Sequence, residues 1–178
     1  MNNIGQEILK FTSHSICDNE NTYRIFLERL KRGNLTRDEN SGSHFCVYFL
    51  PYNLRNKKVF IVHHKKSGLW LSPGGHIDKG EELLGALNRE IEEELGIKNH
   101  FKEAPSPFLL TITPINNRVQ PCKTHYDIWY LMMTDGNNFS INPQEFHDTQ
   151  WLTIAEARMV MIDPANLKAL EVVENMVL

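Results

Sequence analysis

The sequence predicts an α/β sandwich, a mixed β-sheet with helices on both faces, plus an N-terminal helical extension. Two observations carry that prediction. Runs rich in aromatic and β-branched residues recur between His44 and Leu152, and helical periodicities lie between and after them. No internal repeat or low-complexity tract points to another architecture.

From Ile4 to about Arg32 the pattern is helical, with Ile25, Phe26, Leu27 and Leu30 following the turn-forming Asp18-Asn19-Glu20-Asn21. Gly33-Asn34 and the polar stretch from Thr36 to Ser43 close this segment, so residues 1–40 read as an extension within the same domain as residues 41–178. His44 to Leu50 and Lys57 to His64 form a β-hairpin turned by Pro51-Tyr52-Asn53 and Arg55-Asn56. Leu69-Trp70-Leu71 then runs into Pro73-Gly74-Gly75, and Glu81 to Leu95 is helical until Gly96 stops it. Phe108 to Ile115 and His125 to Thr134 are further strands, followed by an Asp135-Gly136-Asn137-Asn138 turn and a last strand from Thr149 to Leu152. Ile154 to Met161 and Pro164 to Val177 read as helices. The second opens on Asp163 as N-cap and Pro164 in its first turn, with Leu167, Leu170, Val173 and Val177 as its apolar stripe.

With 178 residues, 41% of them hydrophobic, the chain suits one core rather than two. A formal charge of -3 gives no broad basic field, which argues against a nucleic-acid backbone as partner. Small anionic substrates remain open if a metal ion supplies local positive charge. Cys17, Cys46 and Cys122 are odd in number and widely separated, and read as reduced thiols of a cytoplasmic protein. Met1 to Glu7 lacks the pattern of a secretory leader, and no apolar run approaches the ~20 residues that span a bilayer.

The chemistry concentrates on the helix from Glu81 to Leu95. At about 100° per residue, Leu84, Leu87, Ile91 and Leu95 share a stripe that can face a sheet, while Glu90, Glu93 and Glu94 fall on a neighbouring arc. Like charges at this spacing repel, and an oxygen-ligated divalent ion such as Mg²⁺ or Mn²⁺ would reverse that repulsion. A solvated acidic face is the plainer reading of the same spacing, as a simple turn is for Gly74-Gly75 ahead of the helix. Glycines there also permit close backbone approach to a metal or phosphate.

Taken together, Gly75-His76-Ile77-Asp78-Lys79-Gly80-Glu81, the stretch from Glu82 to Asn88, and Arg89-Glu90-Ile91-Glu92-Glu93-Glu94-Leu95-Gly96-Ile97 resemble the Nudix box, G-x5-E-x7-R-E-U-x-E-E-x-G-U, at every fixed position. The resemblance implies a Nudix-type α/β/α sandwich and hydrolysis of a phosphoanhydride bond in a small nucleotide-like diphosphate. It further implies that Glu90, Glu93 and Glu94 bind Mg²⁺ or Mn²⁺, with the Gly74 carbonyl as a further ligand. Glu81 and Gly75 match supporting positions, and Arg89 matches the arginine that orients a catalytic glutamate. The box covers a small part of the chain, and the first forty residues lie outside the similarity.

The general base is either a box glutamate, Glu93 first, or Glu145, whose place ahead of Trp151 resembles the downstream catalytic loop of some family members. His125 and Asp127 lie on one face of their strand, opposite Tyr126, as candidate substrate contacts or a solvent face. His63-His64-Lys65-Lys66 reads as a solvated hairpin end, with phosphate contact the sharper alternative, and Trp70, Trp129 and Trp151 as packing. A nucleotide-binding sensor without turnover is the rival function, disfavoured by the complete carboxylate set. The N-terminal helices either cover an apolar face or support a homodimer.

Overall fold

In a computed structural model, residues 3–115 and 121–176 are described. Two helices, α1 (Asn3–Phe11) and α2 (Glu20–Arg32), precede the first strand, β1 (Ser43–Asn53). There follow β2 (Lys58–His64), β3 (Trp70–Leu71), β4 (Gly74–His76), α3 (Leu83–Leu95), β5 (Leu109–Pro114), β6 (Thr124–Met133), β7 (Phe146–Thr153), α4 (Ile154–Val160) and α5 (Pro164–Asn175). The sheet runs β3-β2-β1-β6-β5, with β4 paired to β1 and β7 to β2. Only β1 and β6 pair in parallel among the described strands, which makes the sheet mixed as expected.

Side chains alternate along β1. Phe45, Val47 and Phe49 join one apolar cluster with Phe26, Leu87 and Ile91, while Leu50 and Tyr52 join another with Met161, Leu170 and Val173. Helices α1 to α3 therefore cover one face, and α4 and α5 the other. Ile4, Ile8, Phe26 and Leu30 are buried in the first cluster, so the N-terminal helices complete this core. Cys17 extends the attachment through a parallel bridge to Leu110 of β5.

Local signals hold at most ends. Asp163 accepts from the Asn166 amide ahead of Pro164, and Gly96 closes α3 in the left-handed region with its amide bonded to Glu92. Differences from the sequence reading are instructive. The buried stripe of α3 is Leu83, Leu87, Ile91 and Leu95, with Leu84 only half-buried, and it also carries Glu90 and Glu94. The last strand begins at Phe146 rather than Thr149, because pairing with β2 extends past a register irregularity at His63 and His64. In α5, Ala165, Asn166 and Ala169 join Leu170 and Val173 inside while Leu167 is half-buried; Val177 lies outside the described residues. Trp129 is fully buried, and Trp151 packs on Phe60 and Phe139.

Candidate active site

Strand β4 and helix α3 meet side by side, and the contact requires glycine. A Cβ on Gly74 would overlap the Val47 carbonyl oxygen of the neighbouring β1, and one on Gly75 would lie 2.5 and 2.6 Å from the two Glu90 carboxylate oxygens of α3. The Gly74 amide donates to Glu94 Oε2 at 2.7 Å. Arg89 gathers the remaining carboxylates: its guanidinium donates to both Glu81 oxygens at 2.7 and 3.0 Å, to Glu90 at 2.8 Å, to Glu93 at 3.2 Å and to the His76 carbonyl at 2.8 Å. Glu81 also accepts the Asp78 amide at 2.9 Å, which fixes the loop between strand and helix.

Three carboxylates thus crowd one guanidinium, with Glu94 held beside them by the Gly74 amide. Burial lifts the Glu90 carboxyl from its usual 4.5 to about 7, against the pull of Arg89. Burial, followed by repulsion from Glu90, pushes Glu94 well above its ordinary value. For Glu81 burial also acts upward, yet the bonds from Arg89 and the Asp78 amide outweigh it and hold the carboxyl low. Glu93 stays about half-exposed, with its side chain at 54%. Negative charge held out of water with a single partner is what a divalent cation would offset, and the all-oxygen donor set suits Mg²⁺ or Mn²⁺.

The C-terminus of α3 recruits the opposite wall. The amide of Ser140 bonds the Leu95 carbonyl at 2.8 Å, and Asn142 bonds the Glu94 carbonyl through its amide and the Glu93 carbonyl through Nδ2, both at 3.1 Å. These donors satisfy carbonyls that a helix end leaves open and lay the loop containing Glu145 beside the cluster. Glu145 pairs with Lys66 at 3.3 Å and lies 3.9 Å from His64 Nε2. His64 and Lys66 line the same cavity; His64 is half-buried there, which corrects the expectation of a merely solvated hairpin end for it, whereas Lys66 is exposed as expected. His63 instead stacks on Trp70.

The cavity, about 920 Å³, collects Glu90, Glu93, Glu94 and Glu145 with Arg37 and Asp127 on its walls. His125 is also on the wall, but its Nε2 faces Cys122 Sγ at 2.9 Å and His76 Nε2 at 3.3 Å. Asp127 is buried and accepts from the hydroxyls of Thr111 and Thr113, with Oδ1 lacking a partner among the described residues. Burial raises it from 3.8 to about 7, despite both hydroxyls. Neither residue occupies a solvent face. The sequence reading missed Arg37 and Asn142, whose roles depend on loops that meet only in the folded chain. It also missed His44, Cys46, His76 and Cys122 around His125, for which the Cys122 to His125 spacing was the sole local hint.

The NUDIX domain model matches residues 18–176, which includes α2. The chain belongs to the Nudix family. Among curated Nudix relatives, it is 32% identical over 128 residues to Nudix hydrolase 6 of Arabidopsis thaliana, spanning 68% of this chain and 43% of that protein. It is 33% identical over 89 residues to an m7GpppN-mRNA hydrolase of Xenopus laevis, spanning 45% of this chain and 29% of that one. The chain thus spans less than half the length of either relative. The NUDIX domain of Shewanella oneidensis NrtR, solved with ADP ribose, shares the fold with a TM-score of 0.58 at 18% identity, over 73% of this chain and 85% of that one. Among the described residues no helix is long and apolar enough to cross a membrane.

Proposed function

We propose that this Nudix chain is a divalent-metal-dependent pyrophosphohydrolase that splits the phosphoanhydride bond of a nucleoside diphosphate linked to another moiety. The observation that carries the reading is the carboxylate cluster held by Arg89 and pressed against Gly74 and Gly75. Glu90, Glu93, Glu94 and the Gly74 carbonyl would hold Mg²⁺ or Mn²⁺, which when bound offsets phosphate charge and acidifies water. Arg89 keeps Glu90 and Glu93 in place, and Glu81 keeps Arg89 in place. Glu145, across the cavity and outside that cluster, takes the proton of the attacking water. Lys66, paired with Glu145, orients its carboxylate and meets phosphate charge. Asp127 offers Oδ1 to the substrate from the cavity wall.

A cavity of about 920 Å³ is at the upper end of the roughly 300–1,000 Å³ typical of small-molecule sites, which suits a nucleotide bearing a second group. The working compartment is cytoplasmic, where Cys17, Cys46 and Cys122 stay outside disulfides as they are here. The test is product release from ADP-ribose, dinucleotide polyphosphates, sugar nucleotides, nucleoside triphosphates and a capped oligonucleotide, with Mg²⁺ or Mn²⁺. Metal-dependent turnover of a small substrate that Glu93→Gln abolishes supports the reading. Tight binding of one compound without turnover of any would replace it with a sensor. Turnover of the capped oligonucleotide alone would replace the substrate class.

A further inference from the structure

At the end of β4 away from the carboxylates, three imidazoles and a thiol converge. Cys122 Sγ lies 2.9 Å from His125 Nε2, 3.1 Å from His44 Nε2 and 3.9 Å from His76 Nε2, and the last lies 3.3 Å from His125 Nε2. The sheet brings them together: in parallel register His44 of β1 faces His125 of β6, and in antiparallel register His76 of β4 faces Cys46 of β1. His44 and Cys46 are fully buried, Cys122 nearly so, and His76 and His125 partly.

We infer that His44, His76, His125 and Cys122 form a tetrahedral zinc site, distinct from the carboxylate site of the Nudix box. Zinc bonds of about 2.0–2.1 Å to nitrogen and about 2.3 Å to sulfur set tetrahedral ligand-to-ligand edges of roughly 3.4–3.6 Å. Four of the six ligand-to-ligand separations, at 2.9 to 3.9 Å, bracket those edges, and the three imidazole donors all lie within 4.8 Å of one another, so side-chain adjustments suffice. His44 is already set for the task. Its Nδ1 meets the Asn40 carbonyl at 2.9 Å, and since a carbonyl only accepts, the proton sits on Nδ1 and Nε2 presents a lone pair to the centre.

Donor chemistry separates the two sites. Nitrogen and thiolate suit zinc, whereas the hard carboxylate oxygens of α3 suit magnesium or manganese. Four protein ligands leave no open position, so this ion is structural: it pins β1, β4, β6 and the segment entering β6. The brace reaches the carboxylates through His76, which follows Gly75 and whose carbonyl accepts from Arg89. Cys46 also lies within 4.8 Å of the three histidine donors, but Cys122 makes the close contacts to each.

The experiment titrates the metal-free full chain with Co²⁺, a spectroscopic stand-in for zinc, and then displaces it with Zn²⁺. The expected result is one tetrahedral Co²⁺ per chain, with intense visible bands and a thiolate-to-metal charge-transfer band, to which Co²⁺ at the carboxylate site adds only weak octahedral absorption. Zn²⁺ should bleach both. Cys122→Ser should remove the charge-transfer band and weaken binding by more than the roughly 10–100-fold that loss of a supporting residue costs. His125→Gln should weaken it similarly, while Cys46→Ala and Glu93→Gln leave the spectrum intact. Circular dichroism of each metal-free variant checks its fold, and either Cys122→Ser or His125→Gln suffices if the other misfolds. No uptake, a weak octahedral spectrum alone, or a spectrum lost in Cys46→Ala or Glu93→Gln yet kept in a folded Cys122→Ser would overturn the assignment.

Discussion

Strand β4 carries one polar cluster at each end, and the two are built differently. Beside Gly74 and Gly75, every carboxylate bonded to Arg89 comes from one continuous loop and helix, residues 75–97. Around His76, the imidazoles and thiol come from β1, β4, β6 and the segment before β6. The first needs only a helix and a glycine turn to assemble, whereas the second exists only once a parallel and an antiparallel pairing have both closed. The carboxylate end should therefore dominate chemistry and the imidazole end stability.

The largest expected effect breaks or upholds that division. Glu93→Gln should lower kcat on a true substrate by roughly 10³-fold or more, about 4 kcal/mol of barrier. Cys122→Ser should lower it less than about 10-fold while reducing the thermal midpoint. Steady-state kinetics and thermal melts of both variants decide this. Equal losses of kcat would mean that the two clusters act as one site.

The same contrast explains what was legible. The carboxylate end was readable because helical periodicity and fixed spacing place contiguous residues reliably, and a carboxylate is chemically distinctive. Even there one detail escaped: Glu90 and Glu94 face inward with Leu87 and Ile91. Nothing in a period of 3.6 says how much of a helix a sheet will cover. The strands were read to within a few residues except β4, whose Gly74-Gly75 was read as a turn, and nothing said that β6 pairs in parallel with β1, since period two is blind to direction. That pairing is what brings His125 to His44. Burial of the N-terminal helices through Phe26 and Leu30 was one of two readings left open, because an amphipathic helix does not name its partner.

Next in size is Gly75→Ala, which sharpens the dependence of the carboxylate end on its glycines. The added methyl would sit 2.5 Å from the Glu90 carboxylate, and one of the two must move. Displacement of a metal-binding side chain by about 1 Å should cost roughly 10²-fold in kcat. Rescue of that loss by Glu90→Asp, which withdraws the carboxylate by one carbon, would locate the damage at this contact. Unchanged activity of Gly75→Ala would show that the close approach has no functional role.

A pH experiment sharpens the same comparison through stability. In metal-free protein the Glu90 carboxyl is raised to about 7 from an ordinary 4.5, so the folded state favours its neutral form. Its contribution is fully present below about 4.5 and is lost as pH rises through 7. His76 and His125 act with the opposite sign: burial lowers them to about 3 and about 4, so they cost stability as pH falls below 6.5. Denaturant unfolding of wild type and Glu90→Gln, each with a chelator, cancels the shared histidine contribution. Wild type should lose on the order of 2 kcal/mol relative to the variant between pH 4.5 and 7. A difference that stays flat would mean Glu90 is charged throughout.

The smallest effect concerns how the wall bearing Glu145 is tied to the carboxylate end. Asn142 Nδ2 bonds the Glu93 carbonyl at 3.1 Å, and its backbone amide separately bonds the Glu94 carbonyl. Asn142→Ala removes the first and also the bond that Asn142 Oδ1 accepts from the Gln144 amide at 3.0 Å, both at exposed positions that water can reach, so the stability cost should be about 1 kcal/mol. Kinetics carry the sharper signal. If the loop positions Glu145, kcat should fall a few-fold with KM nearly constant, and Glu145→Gln should make the Asn142 substitution silent because both act on one proton transfer. Additive losses in the double variant would instead place Asn142 and Glu145 in separate roles, and the general base would then be sought within the Arg89 cluster, at Glu93.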